Sequence, residues 1–363
     1  MNTEIRKLFS HEPLRIRLLR KPGMMMPAFI LYIMLVLPAC KKDTPPPDDP
    51  PVMDHGVYIL NEGNFQWGNA SIDYLDLETN VLTENIFQTV NDYPLGDVVQ
   101  SMLIDGSKAY IVVNNSGKIE VVNRSDFRVI QTVTGLGSPR YMLRINASKA
   151  YLTDLYSEKI RVIATEGMLS SGQISMKGSA EEMLMAGEEV FVCNTGNAFL
   201  YVVNANTDAI TDSIPISYGG NSVRMDAEQK IWVMCMGDAQ TSQNAALYRI
   251  DPASRQVLKS FDLGVSLQIW DKICMSPAGN VVYYLNNGVW RLAVDADQLP
   301  SSPFIPAEGR QLHGLGVDPM TGNLYVSDAI DYVQRGRVYR YTSEGVLIDY
   351  FVTGIIPSSF VFF

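Results

Sequence analysis

"SKAYIVVNN", residues 107–115, leaves a turn, places one aromatic, runs through three β-branched residues and stops on two asparagines. The phrase returns as "HGVYILNEG" (55–63), "SKAYLTDLY" (148–156), "EEVFVCNTG" (188–196), "QKIWVMCMG" (229–237), "GNVVYYLNN" (279–287) and "GNLYVSDAI" (322–330). Its aromatics, Tyr58, Tyr110, Tyr151, Phe191, Trp232, Tyr283 and Tyr325, recur every 40 to 52 residues or so. That spacing is the period of a four-stranded propeller blade. The repeats therefore predict an all-β fold, a seven-bladed β-propeller with four-stranded blades.

The other strands follow from alternation and turn chemistry. In the third unit, 140–145 reads as the inner strand, followed by 149–155, 159–165 and 172–177. "DGSK", "NASK", "SPAGN" and "DPMTGN" carry the Asp, Asn and Gly of tight hairpins, and no long helix is evident. The first unit begins at once with its second strand, 55–61, and has no inner strand of its own. The C-terminal "IIPSSFVFF" (355–363) repeats the pattern of "GSPRYMLRI" (137–145) and has no unit left to continue. The last strand is therefore expected to complete the first blade, which removes exposed edges and makes the C-terminus costly to trim.

Upstream, "PAFILYIMLVL" (27–37) is too short to span a bilayer as a helix, and Arg6, Lys7, Arg15, Arg17, Arg20 and Lys21 precede it. This is the layout of a signal peptide. Leu37-Pro38-Ala39-Cys40 resembles a lipobox, with Cys40 as the lipidated residue; an ordinary cleaved signal or a short anchor is the alternative. "KKDTPPPDDPPVMD" (41–54) is a proline-stiffened spacer. The expected organisation is a lipoprotein signal peptide at 1–39, a lipidated cysteine and linker at 40–54, and the propeller at 55–363, on an outer membrane by a lipid anchor and exposed at the cell surface.

The formal net charge is −10, and loss of the basic leader makes the remainder more acidic, which disfavours nucleic acid. Cys193, Cys235 and Cys274 lie far apart in apolar runs and read as buried free thiols.

In a propeller, the loops joining second to third strands and those joining successive blades share one face, around the mouth of the channel. Amides and aromatics dominate these loops here. The candidate ligand-binding residues are Asn61, Glu62, Asn64, Phe65, Trp67 and Tyr93, then Asn114, Asn115, Arg140, Asp154 and Tyr156. Asn194, Tyr218, Asn221, Trp270, Asn286, His313, Asp328 and Tyr332 complete the set. Paired donors and acceptors beside flat rings suit a neutral ligand rich in amides or hydroxyls. The competing explanation for the asparagines is that turns need them.

Catalytic signals are thin. Of three histidines only His55 and His313 follow the leader, and there is no Gly-x-Ser-x-Gly elbow, Walker loop or Cys-x-x-Cys. The expectation is a binding protein without catalytic residues or a resident cofactor. Glu62, Asp97, Asp154, Glu182, Asp271 and Asp328 are the carboxylates that would hold Ca²⁺ if they converged on the axis.

"VYILNEGNFQWGNASIDYLD" (57–76) and "GKIEVVN" (117–123) resemble YVTN/YncE-type seven-bladed propellers, among them surface lipoproteins of Bacteroides. "ILNEGNF" (59–65) together with the lipobox is similar to the cobalamin-capturing, BtuG-like group. That resemblance implies a corrinoid such as vitamin B12 as ligand, and a TonB-dependent outer-membrane transporter as the partner that receives it. The alternatives are a surface interaction propeller that grips a protein or glycan, and a propeller lactonase or other hydrolase.

Overall fold

The computed structural model describes residues 55–265, 267–268 and 272–363. The signal peptide, Cys40 and the linker lie outside the described residues, as do Trp270 and Asp271.

Seven four-stranded antiparallel sheets form the blades, as the repeats predict. Their innermost strands, in ring order from the second blade, are Val99–Asp105, Pro139–Arg144, Ala180–Ala186, Gly220–Met225, Ile273–Met275 and Leu312–Val317. The first blade takes its innermost strand from the C-terminus: Pro357–Phe362 pairs antiparallel with Gly56–Asn61, matching Val57 with Phe362 and Leu60 with Ser359.

The recurring phrase forms the second strand of every blade. It reads as a continuous apolar run because neighbouring blades cover both of its faces. Lys108–Val113, for example, is buried at every position after its lysine. All seven recurring aromatics are buried. Seven apolar clusters result, one between each pair of neighbouring blades. The closing cluster joins Val57, Ile59 and Leu75 of the first blade to Tyr325 and Val338 of the seventh, with Phe360 and Phe362 packed against it. Tyr58 stacks on Phe363 at 4.5 Å, and Tyr325 meets Phe362 edge-on at 5.1 Å.

Close approach at this seam depends on glycine. A Cβ on Gly314 would stand 2.5 Å from the Ser358 carbonyl oxygen, and one on Gly316 would stand 2.8 Å from the Phe360 ring.

One detail differs from the sequence reading, and the first blade adds another feature. The fourth strand of the third blade begins earlier, at Leu169–Ser175, because a bulge opposite Val162 and Ile163 absorbs an extra residue. In the first blade the outer strand is only Leu82–Thr83 and is followed by a short helix, Ile86–Asn91, whose Ile86 and Phe87 are buried against the second blade.

Candidate functional site: the loop face and the axial belt

The two loop sets share a face, and backbone hydrogen bonds join them. Ala70 N–H donates to Gly96 at 3.0 Å, Leu155 to Ser138 at 2.9 Å, Thr195 to Ser179 at 2.9 Å and Ala329 to Gln311 at 2.8 Å.

Several candidates act as latches within this framework. Asn114 donates to Ser138 Oγ and to the Pro139 carbonyl, both at 2.9 Å, and so ties the second blade to the third. The Asp154 carboxylate accepts from the Ser138, Tyr156 and Ser157 amides at 3.0 to 3.1 Å. Asn194 donates to the Lys177 carbonyl at 2.7 Å, and Asp328 accepts from the Gln311 and Ile330 amides at 2.9 Å. Asn61 is buried and donates to Ser71 Oγ at 3.2 Å. These side chains spend their polar atoms on loop geometry, the role that turn chemistry assigns to Asn and Asp.

Other candidates lie away from the axis or serve through their backbone. Tyr93 packs edge-on against Phe87 at 5.2 Å, with its hydroxyl 3.5 Å from Glu120. Half-buried Asn286 accepts from the Trp290 indole at 2.7 Å through its carbonyl, and the Tyr218 carbonyl accepts from the Gly237 amide at 3.0 Å. Asn115 donates to Asp97, which also accepts from the Gln66 amide at 2.8 Å.

Two layers remain at the mouth. The outer layer is aromatic and open: Phe65, Trp67 and Tyr156 are 61%, 77% and 83% exposed. The loop that carries the first two is fixed from both sides, by Asn64 donating to the Tyr332 carbonyl and by the Gln66 contact with Asp97.

The inner layer arises from a repeated irregularity. In six of the inner strands the pairing register slips near the start: at Gln100, at Arg140 and Tyr141, at Glu181 and Glu182, at Asn221, at His313 and Gly314, and at Ser358. A bulge re-aims the side chain it carries. The bulges thus set a belt of polar side chains at one level. Arg140 is held by Glu181 at 2.8 and 3.1 Å and donates to Gln100, which donates to the Tyr141 hydroxyl at 3.0 Å. Arg224 pairs with Glu182, which also accepts from Ser222 Oγ at 2.9 Å. Lys272 lies 3.9 Å from Glu181 and 3.8 Å from Glu182, over the Tyr141 ring at 5.2 Å, and donates to the Asn221 carbonyl at 2.9 Å. Glu62 approaches His313 Nε2 at 3.6 Å, and the His313 ring meets Tyr332 edge-on at 5.8 Å.

The belt holds its charges. Burial alone would lift the Glu182 carboxyl, but Arg224 and Lys272 outweigh it and hold it below the ordinary range. Glu62 is depressed in the same way, burial being overcome by His313 and Arg140. Burial would make Arg140 and Lys272 easier to deprotonate; Glu181 for the first, and Tyr141 with Glu182 and Glu181 for the second, reverse that. Inside the belt a cavity of about 230 Å³ lies among the inner strands of the first five blades.

Reading the sequence by loops finds Arg140, Glu62, Asn221 and His313 of this belt, and Glu182 among the carboxylates, but misses Gln100, Tyr141, Glu181, Ser222, Arg224 and Lys272. A signal was present: Gln100, Arg140, Glu181, Asn221 and His313 are polar residues at the same place, the second, in their inner strands. Among the described residues no group of three or more His, Cys, Asp or Glu side chains is placed to hold a metal ion.

The protein is thus a seven-bladed propeller with an aromatic loop face over a charged axial belt. It belongs to the family described as a domain of unknown function, DUF5074, whose model matches residues 55–350. No curated protein matches the sequence. The fold is similar to that of a quinonprotein alcohol dehydrogenase-like protein from Bacteroides thetaiotaomicron, with a TM-score of 0.68 and 12% identity over 85% of this chain and 78% of that one. It is also similar to a protein from Lactobacillus plantarum, with a TM-score of 0.64 and 15% identity over 86% and 100%. Streptogramin B lyase aligns with a TM-score of 0.55 and 9% identity over 70% and 83%. At such identities the likeness concerns the fold.

Proposed function

We propose that the loop face is a capture surface for a wide, partly apolar ligand and that the protein works as a binding module held on the outer membrane through Cys40. The observation that carries this reading is the exposure of Phe65, Trp67 and Tyr156, at 61%, 77% and 83%, on loops of a single face. Turns do not require large rings, and open aromatics at a channel mouth supply flat contact area at little rotamer cost. A corrinoid is the first ligand to test. The "ILNEGNF" resemblance supports it, and so do the three open rings, whose flat faces suit a flat macrocycle. The cavity of about 230 Å³ is too small for a macrocycle, since pockets for drug-sized ligands run to roughly 300–1,000 Å³. The ligand would therefore lie across the mouth, where a TonB-dependent transporter could receive it.

Titration of the full chain in detergent with cyanocobalamin and cobinamide tests this reading. Saturable one-to-one binding, weakened at least tenfold in a Phe65→Ala/Trp67→Ala/Tyr156→Ala variant, is expected. Silence with both, confirmed by an optical competition assay, removes the corrinoid. The same exposed rings favour a protein or glycan partner as the second reading, because exposed apolar patches mark interaction surfaces.

A further inference from the structure

We propose that the axial cavity is a second binding site, for a small carboxylic acid with an apolar tail, whose carboxylate is held by Arg224. The inference is independent of the loop-face reading.

Arg224 lines the cavity of about 230 Å³. Its Nη1 donates to Glu182 and, at 2.7 Å, to the Val223 carbonyl. Among the described residues its Nε and Nη2 make no hydrogen bond, and the side chain is 36% exposed although it stands inside the ring. A guanidinium edge with two parallel donors fits a carboxylate bidentately. The Tyr141 hydroxyl, which accepts from Gln100 at 3.0 Å, keeps a proton to donate to the same ligand.

Of the three belt carboxylates only Glu182 pairs with Arg224; Glu181 is taken up by Arg140 and Lys272, and Glu62 lies against His313. Met102, Met142 and Met183 from successive blades supply apolar wall, with Ser101, Ser359 and Glu182 among them. Unbranched thioethers adapt to a flexible alkyl chain. A cavity of ~150 Å³ accepts benzene, so this one has room for a chain of several carbons.

The test is titration of the full chain in detergent with sodium hexanoate, followed by saturation-transfer NMR and calorimetry, with acetate and 1-hexanol as controls. Hexanoate should bind one-to-one and at least tenfold more tightly than either control. Arg224→Gln and the cavity-filling Met142→Phe should each weaken it at least tenfold. If Arg224→Gln fails to fold, Met142→Phe decides, because it leaves every belt charge in place. No saturable hexanoate binding, equal affinity for hexanol or acetate, or unchanged binding in folded Met142→Phe overturns the proposal.

Discussion

Arg140 and Glu181 occupy the same bulged position in neighbouring blades, and their side chains meet through two hydrogen bonds of 2.8 and 3.1 Å inside the ring. Their side chains are 7% and 0% exposed, so neither charge has water to fall back on. Breaking a buried pair leaves one charge uncompensated, at a cost of about 3–5 kcal/mol. Glu181→Ala should lose stability on that scale in urea melts. Arg140→Met/Glu181→Met, which removes both charges and keeps volume, should lose far less. Equal losses would show that the pair does not act as a unit.

Acid should loosen the belt. Glu62 and Glu182 have folded pKa values below the ordinary carboxylate range. Such groups add stability that is complete above the unfolded value, about 4.3 for Glu, and is lost as pH falls through the folded value. The melting temperature should stay level from neutral pH to about 5 and decline below about 4. Glu182→Gln should start lower at pH 7 and decline less steeply. A parallel decline in both proteins would place the acid-sensitive groups elsewhere.

Trimming the C-terminus should disable the fold. Pro357–Phe362 supplies the inner strand of the first blade, and Phe360 and Phe362 pack into the closing cluster. Each half-buried aromatic removed forfeits part of the ~1.5–3 kcal/mol that full burial is worth, and the ladder against Gly56–Asn61 opens as well. A chain ending at residue 356 should show no cooperative melt by circular dichroism, whereas loss of a disordered tail would leave the transition intact.

The thiols should be silent in the folded protein. Cys193 and Cys235 are buried, and burial raises both well above the usual thiol range. Burial also lifts Cys274 to about 11, and its thiol donates to the Leu315 carbonyl at 3.1 Å. Because the thiolate is the reactive form, a disulfide reagent at pH 8 should label none of the three until denaturant is added. Prompt labelling of any one would mean that its strand opens in the native state.

Much of the architecture is legible in the sequence because it is local. An aromatic followed by β-branched residues every 40 to 52 positions defines a strand that must be covered on both faces, and only neighbouring copies can cover it. The unmatched C-terminal strand and the missing first inner strand likewise announce their own pairing. The candidate site is less legible. Asn114, Asp154, Asn194 and Asp328 attract notice as polar residues in loops, yet their polar atoms are spent tying those loops together. Arg224 and Lys272, by contrast, carry no local mark.

The sequence by itself determined the blade, its repetition and its closure, because strand alternation and turn chemistry act over a few neighbouring residues. Only the tertiary structure decided which side chains converge. Gln100, Arg140 and Glu181 stand some 40 residues apart, and they meet because ring closure brings the inner strands together and a bulge in each strand turns one polar residue toward its neighbours.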